Sequence, residues 1–290
     1  MRFIRRFIGK IQIAAVSFGL NTLARFSEKR AGNQTVRLFG SPRKGLLSVA
    51  DKAFLQTAKW ETLQLETHKI QTYHWHGTGK RVLLAHGWES NTARWHPLIA
   101  LLQAANFDIV AMDAPRHGAT TGRYFGAILY GEMMNIVVNH FKPRAIIGHS
   151  IGGFATTYYM HHFEKEKRDP SVSELVLLAT PSNLRFIFDL FLKIIGAKET
   201  LKRGYYAEFE RLAQCKTDDF TAENFCKTLS VHTLLVHDKT DDVAPFEDSE
   251  KISKAMKHVE HVVTEGYGHR LQAAFVYEKI VAFLSTTFVQ

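Results

Sequence analysis

The fold of this 290-residue chain is set by residues 145–153, Ala-Ile-Ile-Gly-His-Ser-Ile-Gly-Gly. Residues 145–148 form a short apolar run typical of a buried strand, and residues 151–162 have a helical pattern. Between them, residues 148–152 match Gly-x-Ser-x-Gly, in which the serine occupies a strained turn that holds its hydroxyl clear of the sheet. The amides that follow begin a helix, whose N-terminus favours developing negative charge. Because five residues also match by chance, the interpretation depends on what surrounds them.

Short apolar runs alternate with longer helical patterns after residue 62. The predicted strands are 69–75, 81–85, 108–112, 145–148, 174–179, 233–237 and 261–263, and the predicted helices are 92–104, 130–141, 151–162 and 271–283. Continuous apolar strands separated by helices are typical of a parallel sheet that is covered on both faces. The sequence therefore predicts an α/β fold with a mostly parallel central sheet flanked by helices.

Three further segments follow predicted strands and contain residues suited to catalysis. His86-Gly87-Trp88 follows the strand at 81–85, Asp241 follows the strand at 233–237, and His269 follows the last strand. Open α/β sheets place their ligands at the carboxyl ends of the strands, where these segments and Ser150 meet. The chain order Ser, Asp, His is the order that this architecture requires.

With these pieces in place, residues 60–290 resemble the α/β-hydrolase superfamily. A further segment, residues 113–118, is similar to the D-x-P-G-x-G turn of that family, with Arg116 where glycine is usual. Arginine in place of glycine affects the geometry expected for this turn and not the chemistry of the site. More narrowly, residues 86–90 resemble the HGWES loop of a group of bacterial hydrolases, a resemblance that supplies no substrate.

The chemistry then predicts a role for each residue. Ser150 attacks a carbonyl carbon, and His269 takes its proton, because a serine hydroxyl is a poor nucleophile without a base. Asp241 orients the imidazole, and the amides of Trp88 and Ile151 hold the oxyanion. Asp238 and Asp242 are alternative acids. The choice of Asp241 depends on the family's spacing of the acid four residues before a proline, here Pro245.

A helical cap is predicted at residues 183–229, between the two parts of the hydrolase core at 46–182 and 230–290. About fifty residues without a strand pattern exceed the usual connection length. They contain a strongly apolar run at 186–195, which predicts Phe186, Phe188 and Phe191 as substrate-binding residues. Packing of the cap on the core is the commoner role for such a run. An apolar cap beside a serine site favours an apolar acyl or aryl ligand.

The net charge of +9 lies in an N-terminal arm, residues 1–45, which carries ten basic side chains and one acidic side chain. The remainder is balanced, which argues against a nucleic-acid partner. The start of the arm has the pattern of an amphipathic helix with a basic face. Two interpretations stay open: the helix docks on the protein's own core, or residues 1–20 contact an anionic membrane surface. The apolar run is too interrupted for a signal peptide.

No cofactor and no metal site are predicted. The paired residues His161-His162 and His237-Asp238 lack a third ligand at a known spacing. With only two cysteines, Cys215 and Cys226, the composition fits a reducing compartment. We expect a cytoplasmic protein, with peripheral attachment to the inner face of the membrane as the alternative.

The function predicted from these residues is a serine hydrolase that cleaves a carboxylic ester or thioester with an apolar acyl group. The expected substrate is a small-molecule ester, and lipid esters are one candidate class. An acyltransferase, a carbon–carbon bond hydrolase and a peptide hydrolase use the same three residues and stay open. A different class, a non-catalytic binding module on this fold, is also open because fold does not fix function.

Overall fold

A computed structural model describes residues 10–42, 46–164 and 171–286. Eight strands form one sheet in the order β1-β2-β4-β3-β5-β6-β7-β8. Their bounds are β1 Lys59–Leu65, β2 His68–Trp75, β3 Arg81–Ala85, β4 Asp108–Met112, β5 Ala145–His149, β6 Glu174–Leu178, β7 His232–Asp238 and β8 Val259–Thr264. β1 and β2 pair antiparallel with their neighbours, and the pairs from β4 to β8 are parallel. The predicted fold class is confirmed.

The helices cover the sheet and extend beyond it. They are α1 Lys10–Phe26, α2 Glu28–Phe39, α3 Val49–Leu55, α4 His96–Ala104, α5 Ala127–Phe141, α6 Ile151–Tyr159, α7 Arg185–Ile194, α8 Glu199–Ala213, α9 Ala222–Cys226, α10 Phe246–Ala255 and α11 Ala274–Ser285. The helix predicted at 92–104 is divided into a 3₁₀ turn and α4, with Pro97 in the first turn of α4, where its missing N–H is tolerated. In place of the helix predicted at 151–162, the α-helix ends at Tyr159 and residues 160–164 form a π turn.

The core consists of two clusters of buried side chains, one on each face of the sheet. In β5, Ile146 belongs to one cluster and Ile147 to the other, as the alternation along a strand requires. Every residue of β5 is buried, so both faces are covered. This burial explains why the strand is continuously apolar.

The arm docks on the helices between β6 and β7. Gly32 of α2 lies against α8 so closely that an added Cβ would be 1.9 Å from the Gly204 carbonyl oxygen. The Asn21 side chain donates to the Gly196 carbonyl at 3.0 Å and accepts from the Lys198 amide at 2.8 Å. The described part of the arm thus packs on the predicted cap, while residues 1–9 lie outside the described residues. The boundaries between arm, core and cap stay a prediction.

Among the described helices, none combines the length and the apolar character needed to cross a membrane.

Candidate active site

Ser150 lies at the sharp turn between β5 and α6. Its backbone has φ 54° and ψ −124°, a strained conformation for a residue with a side chain. The turn is held from both sides, because the Ser150 amide donates to the Leu178 carbonyl at 2.8 Å and its carbonyl accepts from Phe154 at 3.0 Å. Gly152 is required here, since an added Cβ would be 2.3 Å from the Ala85 carbonyl oxygen in β3. The predicted strand-turn-helix is present.

His269 and Asp241 continue a chain of hydrogen bonds from Ser150. His269 Nε2 is 3.0 Å from Ser150 Oγ, and His269 Nδ1 is 2.8 Å from Asp241 Oδ2 and 3.1 Å from Asp241 Oδ1. An ionised carboxylate only accepts, so Nδ1 carries the proton and Nε2 is left to accept from the serine hydroxyl. The structure therefore brings together the three residues predicted to be catalytic.

Asp241 is held in place by its own loop. One carboxylate oxygen accepts from the amides of Val243 and Ala244 at 2.8 and 2.9 Å, and His237 Nε2 lies 3.3 Å from the other. Burial raises the pKa of Asp241, but hydrogen bonds from His237 and His269 outweigh burial and hold the pKa well below its usual range. The carboxylate is therefore ionised at neutral pH, as orienting His269 requires.

The two alternative acids lie elsewhere. Asp242 is exposed. The Asp238 carboxylate accepts from the Tyr267 amide at 2.9 Å and from the Thr264 hydroxyl at 2.8 Å, so it joins the end of β7 to the loop that carries His269. Of the three neighbouring aspartates, Asp241 is the one whose carboxylate is hydrogen-bonded to His269.

The loop with the predicted oxyanion donor Trp88 lies directly beside Ser150. An added Cβ on Gly87 would be 3.0 Å from the Ser150 Cβ. His86 supports the loop: its Nε2 accepts from the Ala114 amide at 3.0 Å, so its Nδ1 carries the proton and donates to the Gly87 carbonyl at 2.8 Å. The other predicted donor, Ile151, is the first residue of α6.

The turn at residues 113–118 has Arg116 where the family pattern has glycine. Arg116 takes the left-handed conformation with φ 60°, which is the reason that glycine is usual there. Its guanidinium donates to the Ser41 hydroxyl at 3.2 Å. The buried Asp113 carboxylate, on the same turn, accepts from the Tyr73 hydroxyl at 2.7 Å and the Thr92 hydroxyl at 2.8 Å.

His149 has a role that the sequence did not indicate. Its Nε2 donates to the His269 carbonyl at 2.8 Å and so joins the serine turn to the histidine loop. Burial lowers the pKa of His149 well below its usual value, so the ring is neutral. In the sequence, His149 stands out only because it precedes Ser150, and that position does not indicate a hydrogen-bond partner for its side chain.

A small apolar cavity of about 60 Å³ lies against Trp88 and Ile151, the two predicted oxyanion donors beside Ser150. Its walls come from four parts of the chain: the serine turn and its facing loop, residues 124–128 at the start of α5, the inserted helices, and the arm. Representative lining residues are Trp88, Ile151, Phe188, Tyr205, Val36 and Phe39. The arm's contribution was not foreseen, although Val36 and Phe39 are three apart and share one face of α2.

The three predicted substrate-binding phenylalanines have different places. Phe188 lines the cavity. Phe191 packs on Phe39, with ring centroids 5.1 Å apart. Phe186 is 59% exposed and borders a second, open hollow beside Asp241. Their part in substrate binding stays a prediction.

Within the described residues, one group could offer three metal ligands: His74, His76 and Asp108. Asp108 begins β4, at the end of the sheet opposite to Ser150. Its carboxylate is already ion-paired with Arg81 and hydrogen-bonded to His74. A cation would have to displace the guanidinium, so this group does not point to a metal site.

Two curated proteins are similar to this chain in sequence. The chain is 37% identical over 92 residues to the pimeloyl-[acyl-carrier protein] methyl ester esterase of Pectobacterium carotovorum, a match that spans 30% of this chain and 35% of that enzyme. It is 21% identical over 255 residues to the bifunctional esterase/perhydrolase DCH of Acinetobacter calcoaceticus, covering 70% of this chain and 91% of that protein.

Solved structures extend the likeness in fold to most of the chain. The meta-cleavage product hydrolase of Pseudomonas fluorescens IP01 superposes with a TM-score of 0.59 at 16% identity, covering 79% of this chain and 98% of that one. Residues 80–232, more than half of the chain, match the family model described as the alpha/beta hydrolase fold. The chain therefore belongs to the α/β-hydrolase family.

Proposed function

We propose that this protein is a serine hydrolase that cleaves a carboxylic ester or thioester with an apolar acyl group. The observation that carries the proposal is the continuous hydrogen-bond chain from Ser150 Oγ through His269 to Asp241, at 3.0 and 2.8 Å. A nucleophile, a base and an orienting acid within hydrogen-bond reach are the signature of covalent catalysis by serine.

Ser150 Oγ attacks the carbonyl carbon while its proton passes to His269 Nε2. The carbonyl oxygen becomes an oxyanion, which the amides of Trp88 and Ile151 stabilise; one such donor contributes about 2.7–4 kcal/mol. His269 then gives its proton to the leaving oxygen or sulfur, and an acyl-enzyme forms. Water, deprotonated by His269, releases the acid and restores Ser150.

The apolar acyl preference is supported by the cavity beside Ser150, whose walls are almost entirely hydrophobic side chains. Apolar walls with polar groups only at the reacting end orient a hydrocarbon chain towards the nucleophile. The two curated relatives are both named as esterases, which agrees with the proposal.

Labelling with a fluorophosphonate probe tests the nucleophile. We expect wild type and Ser285→Ala, an exposed-serine control, to be labelled and Ser150→Ala to stay unlabelled with an unchanged melting temperature. No labelling of folded wild type, together with no ester hydrolysis, would favour the binding-module alternative. Ester aminolysis or alcoholysis that outpaces hydrolysis would favour an acyltransferase.

We also propose that the arm contacts anionic lipid, so that lipid esters are substrates. Phe18 and Phe26 of α1 are 76% and 85% exposed, and the arm carries the protein's whole net positive charge. Apolar side chains together with basic residues favour an anionic membrane surface. Residues 1–9 enter this proposal only because their sequence is basic and apolar.

Sedimentation with vesicles tests this contact. Wild type should bind vesicles of phosphatidylglycerol and phosphatidylcholine more than phosphatidylcholine alone, and Phe18→Ser/Phe26→Ser should lose binding. Phe275→Ser, a control at another exposed phenylalanine, should retain it. Equal binding by all three proteins would refute the contact. Substitution is preferable to deleting residues 1–30, because that deletion cuts through α2.

A further inference from the structure

Phe39, the last residue of α2, lies where the arm, the cap and the serine site meet. Its ring centroid is 5.1 Å from Trp88, 5.3 Å from Phe188 and 5.1 Å from Phe191. Trp88 belongs to the loop that faces Ser150, and its amide is the proposed oxyanion donor. Phe39 therefore packs directly on a residue of the reacting centre, although more than a hundred positions separate it from Ser150 in the sequence.

The structure holds α2 at two points, so the position of Phe39 is well defined. Within the helix, Gly32 packs on Gly204 of α8 at backbone contact distance. Just after its last residue, the Gly40 carbonyl accepts from the Phe125 amide at 2.7 Å, and an added Cβ on Gly40 would be 2.5 Å from the Phe125 carbonyl oxygen. The helix is held between the cap and a loop of the core.

We propose that Phe39 is a specificity-determining residue that limits the size of the acyl group, with α2 of the arm as one wall of the acyl site. The inference rests on the proposed function and names its substrate subsite. The cavity is small, at about 60 Å³, and Phe39 and Val36 are the arm's contribution to its lining. Removing the Phe39 ring widens the cavity towards the arm, where longer acyl chains then find apolar surface.

Chain-length profiles in the full-length protein test the proposal. The substrates are p-nitrophenyl esters from acetate to dodecanoate, and the variants are Phe39→Ala, Phe39→Leu, Phe39→Trp and the control Phe275→Ala, at an exposed phenylalanine of α11. Each methylene buried contributes about fourfold to kcat/KM. We expect Phe39→Ala to raise the ratio of long-chain to short-chain kcat/KM by about tenfold or more, Phe39→Trp to lower it, and Phe275→Ala to leave it unchanged.

A binding measurement separates this inference from the proposed function. Calorimetry with saturated fatty acids, on Ser150→Ala alone and combined with Phe39→Ala, reports the same subsite without catalysis. If wild type hydrolyses no ester but the preferred fatty-acid length still increases with Phe39→Ala, the proposed function fails and the subsite stands. If esters are cleaved and all chain lengths lose activity equally, Phe39 has only a packing role and the inference is wrong. Phe39→Leu, which keeps more of the packing, gives the profile if Phe39→Ala does not fold.

Discussion

Replacing Asp241 with asparagine should reverse the hydrogen bond that orients His269. The Asp241 Oδ1 atom accepts from the amides of Val243 and Ala244, so the asparagine carbonyl oxygen must take that position. Its NH₂ group then occupies the Oδ2 position, 2.8 Å from His269 Nδ1. Two donors cannot face each other, so His269 must adopt the tautomer in which Nδ1 accepts and Nε2 carries the proton.

The expected loss follows from that tautomer. With a proton on Nε2, the imidazole donates towards Ser150 Oγ across the 3.0 Å contact and cannot take the serine proton. The matching change in a Ser-His-Asp enzyme lowers kcat about 10⁴-fold. That factor corresponds to about 5 kcal/mol of transition-state stabilisation. We expect a loss of this order for Asp241→Asn, with the substrate's KM little changed, because Asp241 does not line the apolar cavity.

Steady-state hydrolysis of a p-nitrophenyl ester and the rate of fluorophosphonate labelling measure the effect. Asp242→Asn is the matched control, because Asp242 is the next residue, has the same charge and is exposed. We expect its activity to be within about twofold of wild type. Circular dichroism and melting temperatures establish that both variants are folded. Full activity of Asp241→Asn, or an equal loss in Asp242→Asn, would show that the orienting acid has been wrongly assigned.

Three further predictions concern stability and reactivity. Gly32→Ala should lower the free energy of unfolding in urea by about 1–3 kcal/mol, because its Cβ meets a backbone carbonyl of α8, whereas Gly19→Ala has open space and should be neutral or stabilising. Burial lowers the pKa of His86 and of His117 to about 3, so the native protein excludes protons that the unfolded chain binds below pH 6.5. The free energy of unfolding should therefore fall as pH falls from 6.5 towards 3, by up to about 1.4 kcal/mol per pH unit for each histidine; urea titrations at pH 7 and pH 5 that agree would contradict neutral rings. Burial raises the pKa of the Cys226 thiol to about 12, so iodoacetamide at pH 8 should alkylate it only in denaturant, as mass spectrometry can show.

Local sequence carried enough information for the sheet and the serine turn. β3 and β4 coincide with the predicted strands at 81–85 and 108–112, because buried parallel strands are continuous apolar runs. β1 was missed because its burial alternates between exposed and half-buried positions, so its apolar signal is weak. The sequence predicted the helix at 151–162 but not its end, because α6 ends at Tyr159 and a π turn follows it.

The surface on which the arm docks could not be predicted from periodicity. The buried face of α2 consists of Ala31, Gly32, Thr35 and Val36, and such a face does not indicate which surface covers it. The contact with α8 depends on two glycines that allow backbones to touch, a pairing between positions 32 and 204 that no local pattern reveals. Sequence therefore identified an arm with a basic face but not the surface that it covers.

The choice of acid shows the same division between local and distant information. Spacing before Pro245 selected Asp241 through a family resemblance, with Asp238 three residues away as an alternative. What separates the two in the structure is the partner that each carboxylate accepts from: Asp238 is bonded to Tyr267 on the loop of His269, and Asp241 to His269 itself. Neither partner is near in sequence.

Arg116 joins the turn at residues 113–118 to the arm. A non-glycine residue in the left-handed region costs about 1–2 kcal/mol relative to glycine, and nothing within the turn itself requires an arginine. Its guanidinium, however, donates to Ser41, just after α2 and next to Gly40, which is bonded to Phe125. The Arg116 side chain thus connects this turn to the arm through a hydrogen bond that forms only when the arm is docked. The arm is consequently a structural partner of the loops around Ser150, and the wall that Phe39 contributes follows from the same set of contacts.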